Sequence, residues 1–290
     1  MAIATSINFC SNDFRFLARA VEETLQFSRT VLIPVCDHFF DGSPENRPLL
    51  ERAYSEHLEC TFIEFAYDVK RLYTPFIDYF PEDEEWGPLW HSTARYLAFL
   101  YLPEEIEYLL FLDADEIVEG SRFREWLEKE EWKKWDAHWF FSYCYGLDAS
   151  KRAPHLQHTG LLVRRGALSP LKILNAQERF GVFAWLPGPK RLQVCGVDEI
   201  PMFHHYSWVR PQSERLTKAR TWGKKHHCDW QEWIRKSEAE MRNYEDVSPY
   251  FNPFQVTWAD RESERREFPN VIRTNRDMAF RKELEALYCS

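Results

Sequence analysis

The sequence lacks the usual means of covalent stapling, membrane anchoring and polyanion binding. Its seven cysteines are scattered, none forms a CxxC pair, and their number is odd. This excludes a disulfide framework and fits reduced thiols, so a cytoplasmic location is expected. Long hydrophobic runs are missing: residues 108–112 form one of the longest, far below the roughly 20 residues that span a bilayer. Residues 1–12 have no basic stretch followed by an apolar one and read as a first strand, not a signal peptide. Positive charge is in deficit, with 37 Lys and Arg against 46 Asp and Glu and a net charge of -9. Because phosphate neutralisation dominates affinity for nucleic acid, such a partner is excluded and a small one is expected. No repeat, low-complexity linker or glycine-rich phosphate loop is found.

What remains is an ordinary globular balance over 290 residues, enough for one large α/β domain or two small ones. Aromatic residues are plentiful (16%, with 12 Trp) and serve as core fillers as well as faces for sugars. The first half alternates strand and helix patterns. Residues 2–9 read as a strand. A helix over 14–27 carries Phe14, Leu17, Ala18, Val21 and Leu25 on one face, and a β-branched strand follows at 30–36. Ser43 and Pro44 suit the cap and first position of a helix running to about residue 57. A strand at 60–65, a helix at 90–101 and a buried strand at 107–112 complete the pattern. Such alternation favours a parallel sheet with helices on both faces, whose ligands bind at the carboxyl ends of the strands. The loops there, 10–13, 37–43 and 113–116, are polar and acidic. Further on, 139–145, 160–164 and 191–197 read as strands, 180–189 as a loop punctuated by glycine and proline, and 211–244 as helical. The last forty-odd residues show no clear periodicity.

The sharpest chemical signal is Leu110-Phe111-Leu112-Asp113-Ala114-Asp115-Glu116, a buried apolar strand ending in three acids. Buried charge is costly, so such acids belong at a mouth, holding something positive. Asp113 and Asp115 are two apart, which in an extended segment puts both on one side and suits a hard cation such as Mg2+ or Mn2+. The bland alternative is a strand end with solvated acids. A calcium loop is disfavoured, since the positions that need Gly and Glu hold Val118 and Arg124.

Together with residues 6–17 and the turn at 37–43, this element resembles the family 2 type glycosyltransferases, over roughly residues 2–222. A second stretch, His204-His205-Tyr206-Ser207-Trp208-Val209-Arg210 with Lys218 and Trp222-Gly223 downstream, resembles a segment of a subgroup of these enzymes. The resemblance implies a Rossmann-like A-type fold, a mixed and mostly parallel sheet flanked by helices. It implies a catalytic domain over 1–225 with a helical extension, 226–290, packed on it. It implies that Cys10 and Asn12 lie by the nucleoside, that Asp37 or Asp41 holds the base, and that the helix bearing Arg95 is near the nucleotide. Asp113, with Ala114, would face ribose and metal. Asp115 would be the main ligand of Mn2+ or Mg2+, completed by a histidine. His204 and His205 point opposite ways on a strand, and His205 is favoured because the likeness aligns on His-Tyr-Ser-Trp.

The segment 210–225 reverses the acidic trend. Arg210 and Lys218 are its best candidates for neutralising a leaving diphosphate, against the alternative of a solvated helix face with a Glu214–Lys218 pair. His226-His227-Cys228 has no partner cluster at zinc spacing. A base is also required. The family's Glu-Asp pair is absent, and the nearest substitutes are Glu178, favoured by its distance beyond the 160–168 strand, and Asp198 with Glu199. The expected activity is therefore metal-dependent transfer of a hexosyl or N-acetylhexosaminyl group. The donor is a nucleoside-diphosphate sugar, and the acceptor is a hydroxyl of a glycan, a lipid-linked sugar or a polysaccharide. With no transmembrane segment, the basic stretch after Arg210 leaves room for peripheral membrane contact. Rival expectations are a nucleotidyltransferase, which usually has the phosphate loop missing here, a glycoside hydrolase, which needs two opposed carboxylates, and a non-catalytic carbohydrate-binding or scaffold protein of the same fold.

Overall fold

In the computed structural model, residues 3–66, 86–176, 178–221, 229–255 and 267–274 are described. Trp222-Gly223, Lys224, Lys225, the His226-His227-Cys228 run and the expected domain boundary at 225 lie outside them. The chain runs β1 (Ile3–Asn8), α1 (Phe14–Thr24), β2 (Thr30–Cys36), α2 (Arg47–Glu56), β3 (Thr61–Phe65), α3 (Trp86–Leu100), β4 (Tyr108–Asp113) and β5 (Glu116–Val118). Then come α4 (Gly120–Glu128), β6 (Ala137–Gly146), β7 (Lys151–Arg152), β8 (Gln157–Arg164), α5 (Pro170–Asn175), α6 (Arg179–Ala184), β9 (Arg191–Val194) and β10 (Phe203–Trp208). Last are α7 (Gln212–Thr221), α8 (Trp230–Met241), β11 (Glu245–Asp246) and β12 (Val271–Arg273).

A single sheet in the order β11-β7-β6-β8-β4-β1-β2-β3-β12 organises the molecule, with helices on its faces. The segment β4-β1-β2-β3 is parallel throughout. Its strands are buried on both faces, which is why β1, β2 and β4 read as near-continuous apolar runs. Beyond β4 the sheet turns antiparallel through β8 and β6, whereas β9 and β10 lie parallel to β6. Helix α3 packs Trp90, Ala94, Leu97 and Ala98 against one face, and α1 packs Phe16, Leu17, Ala20 and Val21 against the other. The expected α/β architecture is what the chain forms, a mixed sheet with a mostly parallel centre.

Local differences have local causes. Helix α2 starts at Arg47 rather than after Ser43. The Asn46 side chain accepts from the Leu49 N–H at 3.4 Å and Pro48 occupies the first turn. Pro44 is engaged in a bridge with His38, and Asp41 accepts from the Ser43 N–H at 2.9 Å in a tight turn. Residues 180–189, expected as a loop, begin inside α6, which ends at Ala184 with the Trp185 N–H donating back to the Gly181 carbonyl, three residues before Pro187. The C-terminal segment is not wholly helical. After α8, β12 adds in parallel to the open edge of β3, with Ile272 opposite Ile63, and Phe268 packs edge-on against Tyr54 at 5.4 Å. Among the described residues, no helix is long and apolar enough to cross a membrane.

Candidate functional site

The parallel register sets Asn8 opposite Asp113, so β1 and β4 end together and release their loops side by side. A cavity of about 550 Å3 opens at this edge. The Asn8 amide donates to Asp113 at 3.1 Å, and the Ala114 N–H donates to the Asn8 carbonyl at 2.9 Å. The chain then turns sharply into β5, which pairs antiparallel with β10 and sets His205 opposite Glu116. Alternation on β10 separates the two histidines. His205 lines the cavity, its Nε2 3.7 Å from Asp115, whereas His204 lies behind the sheet, bonded to the Tyr145 hydroxyl at 2.8 Å and to Glu119 at 3.0 Å.

Every acid of the triplet that lies at the cavity meets a cation. Asp115, only 2% exposed, receives the Lys218 ammonium at 2.5 Å and the Arg210 guanidinium at 3.3 Å. The same two cations reach Asp13 in the loop after β1, at 3.4 Å from Lys218 and 2.8 Å from Arg210. Glu116 is paired bidentately with Arg179, which also donates to Asp113 at 3.2 Å and to the Phe111 carbonyl at 3.3 Å. Burial alone would raise the Asp113 and Asp115 carboxyls. Arg179, His91, Arg95 and the Asn8 amide together outweigh it at Asp113, and Lys218, His205 and Arg210 together outweigh it at Asp115, so both stay ionised below the usual carboxylate range. Glu116 goes the other way: burial raises it despite Arg179.

Helix α7 supplies Lys218 because it docks on the loop after β1. Glu214 pairs with Arg15, and the Asn12 amide donates to the Thr221 hydroxyl at 3.0 Å. The described part of the basic segment is therefore not a solvated face with a Glu214–Lys218 pair: Arg210 and Lys218 turn inward, and among its described cations only Arg220 is exposed.

The other expected residues divide into those brought together and those left apart. Cys10, Asn12, Asp113, Asp115, His205, Lys218 and Glu178 line the cavity. Cys10 donates its thiol to Asp13 at 3.4 Å, and burial raises its pKa well above the usual value, so it stays a thiol. Ala114 is buried beneath, and Arg210 does not line the cavity but bonds to Asp115, Asp13 and the Asn12 carbonyl, whose residues do. Neither Asp37 nor Asp41 lines the cavity: Asp37 pairs with His38 at 2.8 Å and Asp41 closes its turn. Arg95 is displaced too. It is 1% exposed and does not line the cavity, and its guanidinium nitrogens have no hydrogen-bond partner among the described residues. Its nearest acid is Glu178, at 3.7 Å. Asp198 and Glu199 are absent from the site. They sit exposed on a 3-10 turn against α4, with φ of 55° and 58°.

Several residues of the cavity lining carry no signal in the sequence, Arg179, His91 and Glu45 among them. Arg179 follows Glu178 directly but carries no spacing signal. His91 lies one helical turn before Arg95, and its ring meets Phe40 edge-on at 4.5 Å. Glu45 accepts from the Ser11 N–H at 3.2 Å, and burial lifts its carboxyl to about 7. Trp208 and Trp233, 4.9 Å apart, add an aromatic wall.

Among the described residues, no three His, Cys, Asp or Glu side chains are grouped as a divalent cation would need. Asp115 Oδ1 faces His205, but Oδ2 of the same carboxylate already holds Lys218 and Arg210, which places two fixed cations beside any metal bound there. Unit charges about 4 Å apart interact by ~4 kcal/mol at an effective dielectric near 20, so a dication beside these two cations is opposed twice over. The residues present do not fit a resident metal.

No family model matches the chain, and no curated protein matches it. Solved structures with some likeness include 4-diphosphocytidyl-2C-methyl-D-erythritol synthase from Anaerococcus prevotii, at 10% identity and a TM-score of 0.43, over 83% of this chain and 96% of that one. Residues 1–349 of TarS from S. aureus give 11% identity and a TM-score of 0.44, over 83% and 80% of the two chains. The glycosyltransferase GlyE of Streptococcus pneumoniae gives 12% and 0.35, over 86% and 66%.

Proposed function

We propose that the cavity binds a nucleoside-diphosphate sugar and that the protein transfers its sugar to an acceptor hydroxyl. The observation that carries this reading is the meeting, at the carboxyl end of β4 and the edge of one cavity, of Asp115 with Lys218 and Arg210 and of Asp113 with Arg179. Its volume, about 550 Å3, is within the range of small-molecule sites. Glu45 beside the loop after β1 is the acid suited to a nucleobase, and the Trp208–Trp233 wall offers an apolar face to a sugar ring.

In the reaction the acceptor oxygen attacks the anomeric carbon and the bond from that carbon to the phosphate oxygen breaks. The diphosphate leaves with the electron pair, and its charge is met by Lys218 and Arg179. The acceptor proton goes to a carboxylate. Glu178 is assigned this role: it lines the cavity, is half exposed, and has the buried Arg95 guanidinium behind it. The transferred group is hexosyl or N-acetylhexosaminyl, and the acceptor belongs to a glycan, a lipid-linked sugar or a polysaccharide.

The test is product analysis after incubation with sugar nucleotides of UDP, GDP, CDP and dTDP. Release of a nucleoside diphosphate, and its loss in Glu178→Gln, is the expected result. Release of pyrophosphate from a nucleoside triphosphate and a sugar phosphate would replace this reading with nucleotidyl transfer.

A further inference from the structure

We infer, on the basis of the nucleoside-diphosphate reading, that Lys218 and Arg210 are the site's own cations at Asp115, and that the diphosphate binds without a divalent metal. The Lys218 ammonium stands between Asp115 and Asp13, at 2.5 and 3.4 Å, and Arg210 spans the same two carboxylates at 3.3 and 2.8 Å. Two acids are thereby matched by two permanent cations, and none of this pairing depends on an ion from solution.

The arrangement is fixed from behind and open in front. Arg210 is fully buried and donates a further hydrogen bond to the Asn12 carbonyl at 3.0 Å. It cannot withdraw without leaving Asp13 and Asp115 buried and short of charge. Lys218 is 18% exposed and lines the cavity. An ammonium has three donors, and the two carboxylates use two of them, so one N–H remains for a ligand. Nearby acids press Lys218 to keep its proton, since Asp115 and Asp13 outweigh burial and the repulsion of Arg210. A phosphate oxygen entering between Lys218 and Arg179 therefore meets charge already in place and needing no reorganisation. A metal bound to Asp115 Oδ1, the oxygen that faces His205, would instead lie beside the ammonium and the guanidinium held on Oδ2.

This inference makes Lys218 a substrate-contacting residue and gives it a signature that a structural ion pair would lack. Melting temperatures of the full chain are measured with UDP, GDP, CDP and dTDP, each in EDTA and in Mn2+, and the responding nucleotide is titrated. The expected result is an equal affinity in EDTA and in Mn2+. Lys218→Met weakens binding in EDTA by about tenfold or more, and Mn2+ restores part of it because Asp115 is now open to a metal. Lys218→Arg keeps binding in EDTA. Binding by the wild type only in Mn2+ overturns the inference and leaves the nucleoside-diphosphate reading standing. Binding by Lys218→Met in EDTA as tight as by the wild type also overturns it. Absence of binding under every condition overturns both. The wild-type comparison stands even if a variant fails to fold.

Discussion

Two clusters of neighbouring acids follow strands in this chain, and their fates differ. Asp113, Asp115 and Glu116 leave a strand at the centre of the sheet, where Asp115 and Glu116 are almost fully buried and each finds a fixed cation. Asp198 and Glu199 follow the short β9, on an exposed turn with both backbones in the left-handed region. Water can hold exposed acids at little cost, whereas buried ones persist only where partners are built around them. A concentration of built partners is what marks a site; adjacency of acids in the chain is not. The difference also explains why a cavity lies beside the first cluster and none of its lining comes from the second.

The comparison is broken most directly at Arg210. Arg210→Ala leaves Asp13 and Asp115 short of a buried partner and is expected to cost ~3–5 kcal/mol in urea unfolding. A loss below about 1 kcal/mol would mean that these acids are solvated like the second cluster. Glu178→Gln is expected to lower sugar transfer by about 10²–10⁴-fold with little change in nucleotide affinity or melting temperature. A parallel loss of affinity would move Glu178 from proton acceptance to binding.

Glu45 gives the next effect, through pH. Its carboxyl is raised from 4.5 to about 7 by burial, so the folded state binds the proton more tightly than the unfolded one. Its contribution is fully present below pH 4.5 and is lost as pH rises through about 7. The loss is on the order of 3 kcal/mol. Glu45→Gln, which cannot ionise, should flatten that part of the stability–pH profile, and an unchanged slope would show that the position titrates in water. The smallest effect belongs to the second cluster. Asp198→Ala and Glu199→Ala should leave transfer and binding unchanged, with stability altered by no more than about 1 kcal/mol. A clear fall in transfer for either would return these residues to the site and undo the contrast.

Much of this was legible locally. The apolar runs of β1, β2 and β4 follow from burial on both sheet faces, and the acids at the end of β4 follow from the abrupt change in polarity there. The separation of His204 from His205 follows from strand alternation alone. The helix that carries Arg95 is legible, but its depth is not: position along a helix is local, whereas burial depends on what covers it. Glu45 carries no local signal, because its contact with Ser11 arises only when the loops after β1 and β2 fold together. The strand in the C-terminal segment was hidden by its brevity, three residues that are stable only against the edge of β3.

The sequence by itself determined the alternation of strands and helices, and with it the carboxyl-end location of Asp113 and Asp115, since side-chain periodicity and burial act over a few residues. Only the tertiary structure decided which cations those acids would meet: Arg179 lies 66 residues from Asp113, while Arg210 and Lys218 lie 95 and 103 from Asp115. Contacts at such separations are set by strand register and helix docking, which leave no mark in the spacing of neighbouring residues.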